Sequence, residues 1–275
     1  MKNLFFWLLA LSATSPTLAD DPIECGRYIV EVIGACGNCH TPVGPEGPDT
    51  SKHLAGGMTF EFPGMAITVP NITPDKETGI GAWSDAEIIR AFREGVRPDG
   101  RVLGPLMPIA LYREISDGDA AAIVAYLRTV PPVNNATEVS RYDFPLPDNW
   151  GPPLGVVPEP DRDDPVAYGE YLAGPLGHCV ECHSPPGENG LPDHHNQLAA
   201  GGLTFPGPWG TSVSPNLTPT GLAQRSDDDI RQMITTGTRP DGSPMLPPMP
   251  FYAYANLVPE DLDAIIAYLR SLPPK

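Results

Sequence analysis

The chain contains two five-residue stretches of the same pattern, Cys36-Gly37-Asn38-Cys39-His40 and Cys179-Val180-Glu181-Cys182-His183. Residues three and four positions apart lie on one face of a helix, so each stretch presents two thiols and an imidazole together. C-x-x-C-H is the signature of covalent haem c attachment, in which two cysteines form thioethers to one porphyrin and the histidine binds its iron. The two stretches therefore predict two covalently bound haem c groups.

Cysteines at this spacing have other uses in proteins. A single motif is also compatible with a zinc site or a redox-active C-x-x-C pair, but two matched copies favour haem. Cys25 completes an odd total of five cysteines, and we expect it to be a free thiol. The histidines outside the motifs are expected to be surface or loop residues: His53, His178, His194 and His195.

Both motifs belong to a longer internal repeat whose segments keep their order along the chain. The matched pairs are Tyr28–Pro42 with Tyr171–Pro185, Ala55–Phe60 with Ala200–Phe205, Pro70–Pro74 with Pro215–Pro219, Arg97–Gly100 with Arg239–Gly242, and Ala125–Arg128 with Ala267–Arg270. Two copies this long indicate a duplicated domain rather than a solenoid. We predict domains over 20–139 and 166–275, joined by a Pro-rich linker over 140–165.

Helix signals dominate both copies. A helix is expected to end at each C-x-x-C-H, and apolar residues at helical spacing predict a closing helix over Asp119–Val130 and Glu260–Leu272. Ser84 and Ser226, each followed by acidic residues, predict the caps of two further helices. Strand signals are nearly absent, so the predicted fold class is all-α with long loops.

A methionine is the expected second axial ligand of each iron, because a histidine–methionine pair suits electron transfer. In the first copy Met107 lies in a proline-stiffened loop, with Met58 and Met65 as rivals that core packing would also explain. In the second copy Met245 and Met249 compete, and only Met249 follows Arg239 at the distance at which Met107 follows Arg97. The predicted axial pairs are His40 with Met107 and His183 with Met249.

The N-terminus is typical of a secretory signal. Lys2 precedes the apolar run Leu4–Leu11, and small residues at Thr17–Ala19 suit cleavage near Ala19. This predicts a signal peptide over 1–19 and export, and the run is shorter than the ~20 residues of a spanning helix. The formal net charge of −17 excludes nucleic acid as a partner, because phosphate binding depends on lysine and arginine.

The motif P-N-I-T-P-D-K-E-T-G-I-G-A-W-S at Pro70–Ser84, followed by R-P-D-G, L-M-P and A-Y-L-R-T-V-P-P, resembles the cytochrome c subunits of bacterial membrane-associated alcohol, aldehyde, sorbitol and gluconate dehydrogenases. The resemblance implies two class I cytochrome c folds in the periplasm. It also implies that electrons pass from a partner dehydrogenase toward quinone, another cytochrome or a terminal oxidase. Many such subunits have a third haem domain and a membrane-associating C-terminus, whereas this sequence stops at Lys275, so firm membrane insertion is not expected.

These observations favour an electron carrier over an enzyme. The alternative is a dihaem enzyme, peroxidase-like or thiosulfate-oxidising, which needs an iron with an open position. Methionines at matched positions in both copies argue against an open position.

Overall fold

The computed structural model describes residues 21–44, 47–188 and 190–275, and the predicted signal peptide lies outside them. Within this part the chain is largely helical. The α-helices are α1 Pro22–Tyr28, α2 Gly37–His40, α3 Asp85–Glu94, α4 Ile109–Tyr112, α5 Asp117–Leu127, α6 Pro165–Tyr171, α7 Cys179–His183, α8 Asp227–Thr236, α9 Phe251–Tyr254 and α10 Pro259–Ser271. Helices α1–α5 and α6–α10 follow one another in the same pattern, which is the structural form of the sequence repeat.

The all-α prediction is wrong in one respect, because short strands are present. They are β1 Val43–Gly44, β2 Gly47–Pro48, β3 Thr59–Phe62, β4 Met65–Thr68, β5 Arg141–Tyr142, β6 Thr204–Gly207 and β7 Gly210–Val213, all antiparallel where paired. Strands β3 and β4 are joined by Pro63-Gly64, and Gly64 has a φ of 80°. Proline followed by a left-handed glycine suits a type II turn, but the four-residue strands on either side show too little alternation to have been predicted from the sequence.

In each half the first helix and the last helix cross closely, α1 on α5 and α6 on α10. Gly26 lies at the first crossing and Gly169 at the second, where a Cβ would collide with the carbonyl oxygens of Ala122 and Ala264. Only glycine permits this approach. The buried aliphatic and aromatic side chains of these helices form the core.

The serine caps are confirmed as two capping boxes. The Ser84 hydroxyl accepts a hydrogen bond from the amide of Glu87, and the Glu87 carboxylate accepts one from the amide of Ser84. Ser226 and Asp229 make the same reciprocal pair at α8. Each of these two helices then ends at a glycine whose backbone is in the left-handed conformation; in α3 this glycine is Gly95.

The expected helix up to each C-x-x-C-H is interrupted. After α1 the chain forms a π-helical turn over Ile29–Ile33, and after α6 it forms another over Leu172–Leu176. Ala35 and His178 then adopt left-handed backbone, with φ values of 43° and 39°. Such residues cannot continue a right-handed helix, so each motif occupies a separate short helix, α2 or α7.

The segment between α5 and α6 contains no helix and runs along the surface of the first half. The indole Nε1 of Trp150 donates to the carbonyl oxygen of Leu103 at 2.8 Å, and the Glu159 carboxylate accepts from the amide of Gly118 at 3.1 Å. No helix among the described residues is both long enough and apolar enough to span a bilayer.

Candidate cofactor sites

The structure places each C-x-x-C-H on one helical turn. The amide of His40 donates to the carbonyl of Cys36 at 2.9 Å, which closes the turn and brings the two thiols and the imidazole to one side. All five cysteines of the chain are free thiols in the structure. Burial raises the pKa of Cys36 to about 12 and that of Cys179 to about 11, so both stay protonated at neutral pH.

Both motif histidines are held in the same way. The Nδ1–H of His40 donates to the carbonyl oxygen of Pro70 at 2.9 Å, and that of His183 donates to the carbonyl oxygen of Pro215 at 2.8 Å. A carbonyl only accepts, so Nδ1 carries the proton and Nε2 keeps its lone pair. Burial lowers the pKa of His40 to about 4 and also lowers that of His183. Each ring is therefore a neutral imidazole whose Nε2 has no hydrogen-bond partner among the described residues.

One continuous cavity of about 2480 Å³ connects the two motifs. Pockets for small molecules usually measure about 300–1,000 Å³, so this space is large enough for more than one sizeable flat group. Its lining is mainly apolar. All eight predicted cofactor residues contribute to it: Cys36, Cys39, His40, Met107, Cys179, Cys182, His183 and Met249.

Lining the cavity does not by itself select the axial methionines, because Met58, Met65 and Met245 line it too. The position in the repeat does separate them. Met107 precedes α4 and Met249 precedes α9, and in each loop the methionine carbonyl accepts a hydrogen bond from the amide two residues later, at 2.7 and 3.0 Å. The rivals have no methionine at the matching position of the other copy. The choice of Met107 and Met249 remains a prediction.

Arg97 supplies positive charge at the edge of the first site. Its side chain lines the cavity and lies over the ring of Trp83, 5.0 Å from the ring centre. The Arg97 Nε atom is buried and has no hydrogen-bond partner within the described part of the chain, although it lies 3.7 Å from the Asp99 carboxylate. A buried donor with spare capacity suits an anionic substituent of a bound group.

Although each motif places its two thiols and its imidazole on one side of a turn, no three histidine, cysteine or acidic side chains among the described residues converge closely enough to hold a single metal ion, as a tetrahedral zinc site would require. The protonated thiols, the neutral imidazoles with a free Nε2 and the apolar cavity instead fit a haem c group in each half.

The two sites adjoin each other. The side-chain amide of Asn38, inside the first motif, donates to the carbonyl oxygen of Pro248, next to Met249, at 3.4 Å. His178, predicted to be a surface or loop residue, lies in the loop before α7 and is half-buried between the halves. Its Nε2 lies 3.2 Å from the Gly34 carbonyl oxygen, and its ring meets the ring of Tyr112 edge-on at 5.9 Å.

A buried carboxylate, Asp261, joins the halves on one side. The hydroxyl of Tyr28, from the first half, donates to its Oδ2 at 2.8 Å, and the hydroxyl of Tyr168 donates to its Oδ1 at 3.0 Å. The Tyr28 oxygen also accepts from the amide of Val258 at 3.2 Å. Burial raises the pKa of Tyr28 and of Asp261.

Asp119 of the first half is the counterpart of Asp261, and it contacts a tyrosine of the second half. It also gives Cys25, the cysteine outside the two motifs, a partner. The hydroxyl of Tyr171, from the second half, donates to Asp119 Oδ2 at 2.6 Å and accepts from the amide of Ser116 at 3.0 Å. The Cys25 thiol lies 3.7 Å from Asp119 Oδ1. Cys25 is the counterpart of Tyr168 in the repeat, and the Tyr168 hydroxyl contacts Asp261 in the same way. Burial raises the pKa of Cys25 to about 11, which keeps it a thiol donor.

Comparison with known proteins agrees with this site. A family model described as cytochrome c matches residues 167–273. A dihaem c-type cytochrome of Cereibacter sphaeroides is 34% identical over 87% of this chain and 82% of its own length. This chain belongs to the c-type cytochromes. This chain is also 33% identical, over 98% of its length, to the cytochrome c subunit of a quinone-dependent alcohol dehydrogenase of Gluconacetobacter polyoxogenes.

Several relatives are much longer than this cytochrome. It covers 60% of the alcohol dehydrogenase subunit and 21% of a nicotinate dehydrogenase subunit of Pseudomonas putida, to which it is 34% identical over 91% of the chain. The identity of this chain to cytochrome c subunits of alcohol and gluconate dehydrogenases confirms the predicted resemblance.

Proposed function

We propose that this cytochrome is a periplasmic electron carrier with two haem c groups, one in each of two tandem class I cytochrome c domains. The proposed domains are 20–139 and 166–275, joined by the Pro-rich linker 140–165, after removal of the signal peptide 1–19. The observation that carries the proposal is the repetition of one donor set. In both halves a C-x-x-C-H turn presents a neutral imidazole, fixed through Nδ1, to the same apolar cavity.

The cysteines would hold the porphyrins covalently, Cys36 and Cys39 in the first domain and Cys179 and Cys182 in the second. Each thiol would supply the sulfur of one thioether and pass its hydrogen to the same vinyl group, so attachment would consume no oxidant. Burial raises the pKa of Cys36, Cys179 and Cys182, so these thiols are protonated at neutral pH before a porphyrin is attached.

His40 with Met107 would hold the iron of the first haem, and His183 with Met249 would hold the iron of the second. A bound haem supplies reversible one-electron chemistry, at a potential that methionine ligation raises. The hydrogen bond from each Nδ1–H to a proline carbonyl orients the ring and increases the basicity of Nε2. Two side-chain ligands for each iron would leave no open position, which favours an electron carrier over the alternative of a peroxidase-like or thiosulfate-oxidising enzyme.

The partners follow from the relatives. Because related cytochromes carry the names of dehydrogenase subunits, we propose a periplasmic or membrane-associated dehydrogenase as the electron donor. A downstream cytochrome, quinone or terminal oxidase would be the acceptor. The cytochrome itself supplies no residues for substrate oxidation under this proposal.

Spectra and redox titration of the purified holoprotein test the axial pairs. We expect two low-spin haems that accept two electrons per chain reversibly. Met107→Ala and Met249→Ala should each convert one haem to a centre without a sulfur ligand and lower its potential. Met245→Ala and Met58→Ala are the matched controls and should leave both centres low-spin. Two low-spin centres that survive both ligand substitutions would contradict the assignment.

A further inference from the structure

The two β-hairpins beside the sites are equivalent in the repeat but differ in exposure. In the first half, Ala66, Ile67 and Thr68 of strand β4 are buried. In the second half, the matching strand β7 is mostly exposed, and Val213, the counterpart of Thr68, is 58% exposed. The register of the two hairpins is the same, so the difference comes from what lies over them.

The first hairpin is covered by the segment that follows α5. Strand β5 pairs with β4, with Arg141 opposite Ala66. The Ser140 hydroxyl accepts a hydrogen bond from the outward-facing amide of Thr68 at 3.1 Å. Further along, the amide of Asp143 donates to the Gly64 carbonyl at 2.8 Å. This cover also lines the cavity through Val139, Ser140, Tyr142, Leu146 and Pro147.

The methionine loops differ in the same way. In the first half Gly104 is buried, and the phenol of Tyr142 fills the space where its side chain would be. Its counterpart in the second half, Leu246, is 41% exposed. Among residues 21–44, 47–188 and 190–275, no strand pairs with the outer edge of β7. The second site thus has an exposed apolar rim formed by Trp209, Val213 and Leu246.

We propose that electrons enter and leave the protein at the second site, and that the first site exchanges electrons only through the second. The inference rests on the proposed function. Electron-transfer rates fall steeply with distance, so a covered site is slow toward an external reagent. Asn38 and Pro248 bring the two sites into direct contact, which provides the internal route. Each event moves one electron: the external donor is oxidised as the second site is reduced, and that electron then passes to the first site.

Oxidation of the fully reduced holoprotein by hexacyanoferrate(III) tests the route in a stopped-flow instrument. Leu246→Glu and Val213→Glu place a negative charge on the rim of the second site, and repulsion of this anion should slow oxidation of both haems about threefold at low ionic strength. Phe144→Glu is the matched control in the cover of the first site, where Phe144 is 43% exposed and does not line the cavity, and it should leave both rates unchanged.

A Tyr142→Ser variant provides the converse test. Opening the cover should give the first haem a direct, faster oxidation phase that the wild type lacks. The proposal would be overturned if Phe144→Glu slowed oxidation as much as Leu246→Glu, or if the rim variants slowed the oxidation of only one haem. A preparation without two bound haems would instead contradict the proposed function, so the two failures are distinguishable.

Amide hydrogen exchange gives a readout that does not depend on electron transfer. The Thr68 amide should be protected because it donates to Ser140, and the Val213 amide should exchange at least tenfold faster because its strand edge is open. Equal protection of these two amides would show that the second rim is covered as well, and the proposal would fail.

Discussion

Replacing Tyr28 by phenylalanine removes one hydroxyl from the interface between the halves and nothing else. That hydroxyl donates to the buried Asp261 carboxylate at 2.8 Å and accepts from the amide of Val258 at 3.2 Å. A hydrogen bond to a charged group contributes about 1.5–3 kcal/mol, and an unpaired buried group adds a further cost. Tyr168 still donates to Asp261, so the carboxylate keeps one partner. We therefore expect Tyr28→Phe to lower the free energy of unfolding by about 2–3 kcal/mol.

Urea unfolding of the holoprotein at pH 7 measures this loss, followed in parallel by haem absorbance and far-ultraviolet circular dichroism. Tyr252→Phe is the matched control: Tyr252 is 60% exposed, and its hydroxyl makes no hydrogen bond within the described part of the chain, so the change should stay within about 0.5 kcal/mol. A double-mutant cycle with Asp261→Asn should show coupling between the two residues. If Tyr28→Phe costs no more than Tyr252→Phe, the interface hydrogen bond does not hold the halves together.

Three further changes test local features. The hydrogen bond from His53 Nε2 to Glu31 Oε1, at 2.8 Å, raises the pKa of His53. The stability that this pair contributes is therefore complete below the ordinary histidine pKa of 6.5 and is lost as the pH rises through the higher pKa of the folded state. In urea unfolding, His53→Gln should destabilise the protein more at pH 5.5 than at pH 8.5. Ser84→Ala removes the cap of α3 and should cost about 1 kcal/mol, and an unchanged urea midpoint would contradict the role of the cap. Gly26→Ala forces a Cβ into the backbone of α5 and should lower the melting temperature by an amount equivalent to about 1–3 kcal/mol, whereas Gly155→Ala, where the Cβ meets no atom within 4 Å, should change it little.

Local signals explain what could be predicted from the sequence. The thiols and imidazole of each C-x-x-C-H lie within five consecutive residues, so one turn of helix brings them together without help from the rest of the fold. The capped helices at Ser84 and Ser226 depend on contacts three residues apart, and both formed as predicted. The internal repeat added the register that singles out Met107 and Met249.

Contacts between distant residues explain what was missed. Tyr28 and Asp261 lie at opposite ends of the chain, and nothing in either neighbourhood marks them as partners. The contact of His178 with the Gly34 carbonyl could not be predicted for the same reason, because it forms only when the second half packs against the first. The short hairpins were overlooked because four-residue strands around Pro63-Gly64 give too little alternation to stand out from loops.

The mass of the intact mature protein tests the central claim most directly. After denaturation and removal of all non-covalent ligands, we expect the polypeptide mass plus two haem groups, and we expect Cys36→Ala combined with Cys39→Ala to remove one of them. Loss of Cys179 and Cys182 should remove the other. A denatured chain at the mass of the bare polypeptide, or one that keeps two haems after either pair is replaced, would contradict covalent attachment at these four cysteines.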